Sequence, residues 1–361
     1  MPRALLVSVA RRDQYPVAIE AGLLRRAGRW LDDRLGMHRR LVVSSPRVWK
    51  HHGAAARAGR LGEGPVLVRD GETAKTLDTT LHLYQALIRH RVDRGTVVIV
   101  MGGGVLGDLA GYAAATLLRG LPLVHVPTTL VGQIDSAIGG KVGVNLPAGK
   151  NLVGAFYQPE AVLVDPTLLV TLPAREFRAG LYEAIKYGII GNARLFRALE
   201  RASMGALQVD GRALDPIVRA CAALKARIVS KDERDTGARL WLNLGHTVGH
   251  ALEQVTRYRR FKHGEAVGYG LLVATRIAAA RCTLAPAAAA RIETLIGRIG
   301  RLPRVHHLSA RTIVAATALD KKIESGRRRF VLPSAIGAVT VVDDVSNQEI
   351  ERALQSLGCG A

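Results

Sequence analysis

"TVVIVMGGGVLGDLAGYAAATLL", residues 96–118, passes from a continuous apolar run through a glycine cluster to an alanine-rich segment. A continuous apolar run is typical of a strand that a parallel sheet buries on both faces. Gly102, Gly104 and Gly107 satisfy the spacing G-x-G-x-x-G, which lets a backbone approach a pyrophosphate at the N-terminus of a helix. The stretch therefore predicts a strand, a tight turn and a helix of a doubly wound α/β domain.

Four further β-rich runs lie in the first 170 residues. They are RLVVSS (40–45), PVLVRD (65–70), LPLVHVP (121–127) and AVLVD (161–165). Helical patterns separate these runs, and strands that alternate with helices indicate a parallel sheet covered on both faces. The sequence therefore predicts an α/β, Rossmann-like N-terminal domain over residues 1–172.

The pattern changes after residue 172. From about Arg175 to Arg301, helical periodicity rich in Ala, Leu and Ile dominates, with few strand signals. Further on, RRFVLP (328–333) and AVTVVDD (338–344) predict either a small hairpin or isolated strands. We therefore predict a mostly α-helical C-terminal domain over residues 173–361. No low-complexity linker precedes it, so we expect the two parts to pack directly on each other.

Length and composition fit a folded globular protein. The chain has 361 residues, of which 48% are hydrophobic, enough for a substantial core. No segment keeps about 18 apolar residues uninterrupted, so no membrane span is expected. The first twenty residues lack the pattern of a secretory signal. Three widely separated cysteines fit a reducing compartment better than a disulfide framework, so we expect a cytoplasmic protein.

The formal net charge of +21 raises nucleic-acid binding as an alternative. The arginines are dispersed in pairs, however, and aromatic residues that could stack on bases make up only 4% of the chain. Solvated surface arginines are therefore favoured over a nucleic-acid interface. The positive field would still attract a small anionic substrate.

The glycine spacing alone is a weak signal for a dinucleotide. The acidic residue expected about twenty positions further on is missing, since no Asp or Glu lies between Asp108 and Asp135. Asp70 and Glu72, just after a predicted strand and followed by Lys75, are better candidates for contacts to a ribose. The alternative is a tight βα turn that binds no ligand.

Residues 125–159, HVPTTLVGQIDSAIGGKVGVNLPAGKNLVGAFYQP, are predicted to form a long polar loop at the ligand-binding edge of the sheet. Lysines and hydroxyl or amide partners of this kind suit a phosphate and a polyol. The alternative is a solvated surface loop, but loops of this length are usually functional. The polar side chains are Thr128, Thr129, Asp135, Lys141, Asn145, Lys150 and Asn151.

Two helical stretches carry candidate metal ligands. His246, His250 and Glu253 follow one another at i, i+4 and i+7, so they form one stripe, and His263 is predicted to begin the next helix. Two histidines and a glutamate with an open position are typical of a catalytic divalent site, most naturally zinc. Any one of these histidines in isolation could equally be a satisfied core residue.

Other features refine the metal hypothesis. Glu183 and Lys186 lie three residues apart on an otherwise apolar helix, where a buried carboxylate needs a partner. The zinc-protease pattern H-E-x-x-H is not met, because Thr247 replaces its glutamate. A metalloprotease is therefore disfavoured.

Taken together, these motifs closely resemble the 3-dehydroquinate synthase family. The resemblance runs from about Asp70 to DKK (320–322) and VLPSAIG (331–337). It rests on GGGVLGDLAGYAAATLLRG, PTTLVGQIDSAIGGKVGVNLPAGKN, GLYEAIKYG, KDERDTGARLWLNLGHTVGHALE and HGEAV. It implies an NAD-binding α/β domain, a helical domain, a site in the cleft between them, a homodimer, and a zinc or cobalt ion.

The resemblance also implies roles for matched residues. The metal ligands are Glu183, His246 and His263, with His250 assigned to the substrate. The NAD-contacting residues are Asp70, Glu72, Lys75, Gly104, Val105, Gly107, Asp108, Thr128, Thr129, Lys141, Lys150, Leu168 and Thr171. The catalytic residues are Lys141, Lys186, Lys225, Arg239, Asn243 and His250. The substrate-binding residues are Asp135, Asn151 and, across the dimer, Arg119, with Lys321 or Lys322 completing the pocket.

The implied reaction converts 3-deoxy-D-arabino-heptulosonate 7-phosphate to 3-dehydroquinate and phosphate, in the shikimate pathway of aromatic amino acid biosynthesis. Its steps are a transient oxidation by NAD, elimination of phosphate, reduction and an intramolecular aldol closure. Three alternatives remain: another sugar phosphate cyclase such as a valiolone or deoxyinosose synthase, a metal-dependent alcohol dehydrogenase, and a catalytically silent NAD- or nucleic-acid-binding protein.

Overall fold

The computed structural model describes residues 14–235, 237–318, 323–324 and 327–360. The strands in this part of the chain are β1 (Val17–Ile19), β2 (Arg40–Ser44), β3 (Glu63–Leu67), β4 (Val97–Gly102), β5 (Leu123–Pro127), β6 (Lys141–Leu146), β7 (Gly149–Phe156), β8 (Ala161–Val164), β9 (Ile323–Glu324), β10 (Arg327–Arg328), β11 (Phe330–Ala335) and β12 (Ala338–Val342).

The α-helices of the same residues are α1 (Ala27–Leu35), α2 (Pro46–Ala58), α3 (Leu77–Arg89), α4 (Gly104–Thr116), α5 (Ala174–Gly191), α6 (Ala193–Arg201), α7 (Met204–Val209), α8 (Gly211–Lys231), α9 (His246–Val255), α10 (His263–Ala280), α11 (Pro286–Ile299), α12 (Ala310–Thr317) and α13 (Asn347–Ser356). No helix among the described residues is both long and apolar enough to cross a membrane.

Six strands form one parallel sheet in the order β1-β8-β5-β4-β2-β3. The central strand β4 is buried along its whole length, as expected for a valine-rich strand with helices on both faces. In a parallel sheet the carboxyl ends of the strands lie at one edge. The glycine turn after β4 and the Thr128–Thr129 turn after β5 therefore meet there, and the backbone N–H of Thr128 donates to the carbonyl of Gly102.

The five strands predicted from the sequence are confirmed within about three residues at their ends, whereas β1 was missed. Three residues are too few for a periodicity signal, and β1 is only half-buried because it lies at the sheet edge beside β8. The tail forms a hairpin, in which Phe330 pairs with Val342 and Pro333 with Val339. This outcome selects the hairpin over isolated strands.

The prediction of a continuous polar loop over 125–159 is wrong for its second half. Residues 141–156 form the antiparallel hairpin β6–β7, and Gly132–Ser136 form a short π-helical turn before it. The two strands approach unusually closely at Gly143 and Gly154, where a Cβ on Gly143 would lie 2.6 Å from the carbonyl oxygen of Val153. Glycines and lysines hid the strand signal, because both residue types are uncommon in strands.

Helices α5, α9 and α10 pack with almost no side chain between their backbones at two points. A Cβ on Gly264 would lie 1.8 Å from the carbonyl oxygen of Ala179 in α5, and one on Gly270 would lie 1.7 Å from that of Gly245. Only glycine fits at such an approach. These contacts bring the first residue of α9 and the first residue of α10 close to the middle of α5.

Candidate active site

Three predicted metal ligands converge at this helix junction. Glu183 lies in the middle of α5, while His246 and His263 begin α9 and α10. Oε1 of Glu183 is 3.6 Å from Nε2 of His246 and 3.3 Å from Nε2 of His263. One ligand atom from each of the three residues lies within 4.8 Å of the other two. The structure therefore brings together a carboxylate and two imidazoles from three separate helices.

The environment of Glu183 fits a divalent cation. Its side chain is 0% exposed, and its Oε1 has no hydrogen-bond partner among the described residues. The Nζ of Lys186, at 2.5 Å from Oε2, balances part of the charge. Burial raises the pKa of Glu183, but Lys186 and His263 outweigh it and lower that pKa. A buried, charged oxygen without a hydrogen bond costs free energy, and a cation between Oε1 and the two imidazoles would remove that cost.

Glu253 forms a second grouping with His250 and His263, also within 4.8 Å. One oxygen of Glu253 lies 3.2 Å from Nδ1 of His263, and the other accepts from Nζ of Lys150 at 3.1 Å. Burial would raise the pKa of Glu253, but His263 and Lys150 outweigh it and lower that pKa to about 2. Glu253 thus contacts Nδ1 of His263, whereas Glu183 lies near Nε2 of the same ring.

Asp135 forms a charged cluster beside Glu183. Its carboxylate accepts from Nζ of Lys186 at 3.2 Å and from Nζ of Lys225. Burial would raise the pKa of Asp135, but the two ammonium groups hold it well below its usual range. Burial lowers the pKa of Lys225, whereas the paired carboxylates outweigh burial at Lys186 and raise its pKa. Two ammonium groups and two carboxylates thus lie together in a largely buried position.

The glycine turn lies at the other side of this cluster. Gly103 and Gly104 pack so tightly that Cβ atoms there would lie 2.9 Å from Cγ2 of Thr129 and 2.7 Å from Oγ of Ser136. A narrow cleft beneath the turn is lined by Gly104, Gly107, His125 and Ser136, among other residues. The N-terminus of α4 opens onto this cleft, as in dinucleotide sites.

Polar contacts join the β3–α3 segment to the hairpin. The Nζ of Lys75 donates to Asp108 at 2.5 Å and also to Asn151. The Nδ2 of Asn145 donates to Glu72 at 2.7 Å. The predicted cofactor residues Glu72, Lys75 and Asp108 therefore lie together, next to the predicted substrate residue Asn151.

Other predicted residues have different partners. Lys141 pairs with Asp235 and is half exposed. The guanidinium of Arg239 donates to the carbonyl oxygens of Glu233 and Gly139 at 2.5 and 2.9 Å, so part of its donor capacity holds the backbone. These contacts differ from those of Lys186 and Lys225, which both bind Asp135.

The remaining predicted residues lie further around the cleft. Asp70 accepts from Ser45 at the start of α2, and Thr171 contacts His52 at 2.9 Å. Leu168 is buried. Arg119 is exposed in a turn with φ of 68°. Lys321 and Lys322 lie outside the described residues.

Sequence reasoning missed three polar residues of this region. His125 lies on β5 under Gly107, and burial lowers its pKa to about 4. The Oγ of Ser136 is buried without a hydrogen-bond partner among the described residues. Asp235 holds Lys141. A histidine inside an apolar strand was a signal that could have been used for His125, whereas nothing local distinguished Ser136 or Asp235.

By similarity of fold the chain falls in the class of the sugar phosphate cyclases, and three of its helices bring Glu183, His246 and His263 together. Two solved structures of this class are similar along nearly the whole chain. The 2-epi-5-epi-valiolone synthase of Streptomyces hygroscopicus subsp. jinggangensis, with NAD⁺ and Zn²⁺ bound, has a TM-score of 0.89 and 30% identity, covering 98% of this chain and 99% of its own. A 2-deoxy-scyllo-inosose synthase with carbaglucose-6-phosphate, NAD⁺ and Co²⁺ has a TM-score of 0.82 and 26% identity, covering 94% and 96%.

The sequence comparison identifies the family. Family models described as the 3-dehydroquinate synthase N-terminal and C-terminal regions match residues 65–179 and 180–323. The 3-dehydroquinate synthase of Gloeobacter violaceus is 44% identical over 353 residues, covering 96% of this chain and 97% of its own. The chain belongs to the 3-dehydroquinate synthase family, which confirms the resemblance inferred from the motifs.

Proposed function

We propose that the protein catalyses the 3-dehydroquinate synthase reaction, forming 3-dehydroquinate and phosphate from 3-deoxy-D-arabino-heptulosonate 7-phosphate. Family membership supports this activity, as does the 44% identity to a 3-dehydroquinate synthase. The structural observation that carries the proposal is the convergence of Glu183, His246 and His263 beside the Asp135 cluster. A cation held there would lie next to groups that suit an anionic, hydroxyl-rich substrate.

The binding roles follow from position. Glu183, His246 and His263 would hold the divalent ion, and the turn at Gly104–Asp108 would hold the diphosphate of NAD. When bound, NAD and the ion would supply reversible hydride transfer and stabilisation of an alkoxide. The remaining cofactor contacts are assigned to Asp70, Glu72, Lys75, Thr128, Thr129, Lys141, Lys150, Leu168 and Thr171.

The substrate roles rest on charge. Lys186 and Lys225 are held by Asp135 at fixed positions, so they can receive a carboxylate or phosphate without a large reorganisation. Asn151 and Arg239 are assigned to substrate binding beside them. His250, one helical turn from His246 and 5.4 Å from it between ring centres, is assigned to proton transfer together with Asn243.

The division of labour between the two parts is also a proposal. We assign NAD binding to residues 1–172 and metal and substrate binding to residues 173–361. The apolar core crosses this boundary, since Ile134 and Val164 lie in one cluster with Ile185 and Leu252. Such a shared core suits a site that needs groups from both parts.

We further propose a cytoplasmic homodimer. Cys221, Cys282 and Cys359 form no disulfide, which suits a reducing compartment. The dimer would let the exposed Arg119 reach the phosphate of a substrate bound to the partner. A small phosphorylated sugar acid, with no nucleic acid, is the proposed binding partner.

One assay separates this function from its nearest rivals. We expect phosphate release from 3-deoxy-D-arabino-heptulosonate 7-phosphate but not from sedoheptulose 7-phosphate, because the lysine cluster would pair with the carboxylate that only the first substrate has. The absorbance at 340 nm should stay flat during turnover, since each NADH is reoxidised. Release from sedoheptulose 7-phosphate alone would indicate a valiolone-type cyclase, and a steady rise of NADH would indicate a dehydrogenase.

A further inference from the structure

Glu253 is a buried charged residue that the proposed function leaves unused. It lies on α9 with a side chain only 5% exposed. A carboxylate at such a depth is retained only where each oxygen has a partner. Both oxygens of Glu253 have one, and the two partners come from opposite sides of the site: His263 at the start of α10 and Lys150 in β7.

The contact with His263 fixes which ring nitrogen is available to a metal. An ionised carboxylate can only accept a hydrogen bond, so Nδ1 of His263 must carry the proton in its contact with Glu253. When a cation is bound, the lone pair would then lie on Nε2, which is the nitrogen 3.3 Å from Oε1 of Glu183. Metal-binding histidines commonly donate their other ring N–H to a carboxylate or carbonyl in this way.

The other imidazole of the site is oriented by a different kind of acceptor. Nδ1 of His246 lies 3.1 Å from the carbonyl oxygen of Leu244, so its proton also lies on Nδ1 and its Nε2 faces Glu183. The backbone two residues away supplies that contact. The side chain of His263 is 38% exposed. The acceptor for its Nδ1 is a side chain, the carboxylate of Glu253.

Lys150 holds the carboxylate in place. Its Nζ lies 3.1 Å from Glu253, 3.6 Å from Glu72 and 4.2 Å from the ring centre of Tyr258. The hydrogen bond from Lys150 goes to Oε1 of Glu253, which leaves Oε2 for His263. A residue assigned to the cofactor side is thereby connected through one carboxylate to a residue assigned to the metal.

We propose that Glu253 is a positioning residue for the metal centre, which orients His263 and fixes its tautomer so that Nε2 faces the ion. The proposal rests on the proposed metal site but adds a residue outside the ligand set. Lys150 in turn keeps Glu253 in the orientation that His263 needs. Glu253 does not itself bind the ion.

The test measures metal affinity on the intact, metal-free chain, by titration with Co²⁺ in competition with a chelator. Glu253→Gln keeps an acceptor for the Nδ1 proton but removes the charge, so we expect affinity about 10-fold weaker than wild type. Glu253→Leu removes the acceptor as well, so we expect a loss of about 100-fold. The matched control is Glu293→Gln, which removes a carboxylate of α11 that pairs with Arg276 of α10. This variant should bind Co²⁺ like wild type.

A second measurement separates positioning from general loss of structure. In the zinc-loaded chain, ¹⁵N spectra of the imidazoles should show a proton on Nδ1 of His263 in wild type and in Glu253→Gln. In Glu253→Leu the His263 signal should shift or broaden, while the His246 signal stays unchanged. A Glu253→Leu chain that changes both signals equally would contradict a specific role for Glu253.

The outcomes distinguish this proposal from the metal site on which it rests. Unchanged Co²⁺ affinity in both Glu253 variants, with binding abolished in Glu183→Gln, would overturn the positioning role alone. Unchanged affinity in Glu183→Gln as well would overturn the metal site itself. Two ions bound in wild type, and one in both Glu253→Gln and His250→Ala, would make Glu253 a ligand of a second site and would also overturn the proposal.

Discussion

Glu183 is the residue on which the proposed chemistry depends most. Its carboxylate is fully buried, Oε1 has no hydrogen-bond partner among the described residues, and two imidazole nitrogens lie within 3.6 Å of Oε1. Burying this charge costs free energy when the site is empty, and a bound cation would offset that cost.

We therefore expect Glu183→Gln to lose bound metal and activity together, because a neutral amide is a much weaker ligand for a divalent cation. The variant should still fold, since the shape of the side chain is kept. Metal content after dialysis and phosphate release are the two measurements. Glu200→Gln, which loses an ion pair with Arg291 on a neighbouring helix, should keep its metal. A metal-loaded, active Glu183→Gln chain would refute the assignment.

His125 gives a prediction about acid stability. Burial lowers the pKa of His125 to about 4 in the folded chain, against about 6.5 when unfolded. The unfolded chain therefore binds a proton first as the pH falls below about 6.5. Above that pH, His125 does not change the free energy of unfolding. Between pH 6.5 and pH 4 it lowers the free energy of unfolding progressively, by up to about 3 kcal/mol.

The comparison of wild type with His125→Gln isolates this contribution. The free energy of unfolding of wild type should fall more steeply than that of the variant between pH 6.5 and pH 4, as measured by urea denaturation. The two curves should run parallel above pH 7. Parallel curves over the whole range would show that folding does not lower the pKa of His125.

At the residue level, the sequence could predict the metal ligands but not their supports. Glu183, His246 and His263 were assigned through a resemblance of motifs, and the spacing along α9 already marked His246, His250 and Glu253 as one stripe. Whether Glu253 would bind a metal or orient a ligand depended on where His263 lay, which spacing along one helix does not determine.

At the level of elements, the site depends on how closely α10 approaches its neighbours. Gly270 lies against the backbone of Gly245, the residue just before His246. Any side chain at position 270 must push α9 and α10 apart, and overpacking of this kind typically costs about 1–3 kcal/mol.

We expect Gly270→Ala to lower both the melting temperature and the affinity for Co²⁺, because the shift would separate His246 from His263. Gly297→Ala is the matched control, since it lies inside α11 with nothing within 4 Å of its Cβ position. That control should leave metal affinity unchanged and stabilise the chain by roughly 0.5–1 kcal/mol. Equal metal affinity in Gly270→Ala and wild type would mean that the close approach does not set the site.

The sequence predicted elements well where hydrophobic runs were long. The strands around Val98 and Val124 are buried and continuous, and their prediction was confirmed. The hairpin at 141–156 was missed because its glycines and lysines, which are uncommon in strands, hid the strand pattern. The three-residue strand β1 acquires its conformation by pairing with β8. Val17 pairs with Val162, which lies 145 residues further along the chain.

At the level of the whole molecule, the dimer proposal makes a sharp prediction. His246→Ala and Arg119→Ala chains should each be inactive, because each site would lack one essential group. After mixing, unfolding and refolding together, half of the dimers should contain one complete site, so activity should recover to about a quarter of wild type. The measurement is phosphate release before and after mixing.

The control for this experiment mixes His246→Ala with Glu183→Gln. These residues lie in the same site of one chain, so every mixed dimer lacks a complete metal centre and activity should not recover. Recovery only in the mixture with Arg119→Ala would support sharing across the dimer. An active Arg119→Ala chain on its own would remove Arg119 from the site.

The overall architecture could be inferred from the alternation of strands and helices, whereas the junction between the two parts could not. Lys75 contacts Asp108 and Asn151, and Lys150 contacts Glu253, although the partners lie far apart in the sequence. The net charge of +21 has no explanation in the structure.

The most direct test of the central claim is phosphate release from 3-deoxy-D-arabino-heptulosonate 7-phosphate, measured with NAD present before and after removal of metal by a chelator. We expect release by the purified chain, its loss on chelation, and its recovery when Zn²⁺ or Co²⁺ is added back. Release that continues at the same rate in the fully metal-free chain would contradict a metal centre at Glu183, His246 and His263.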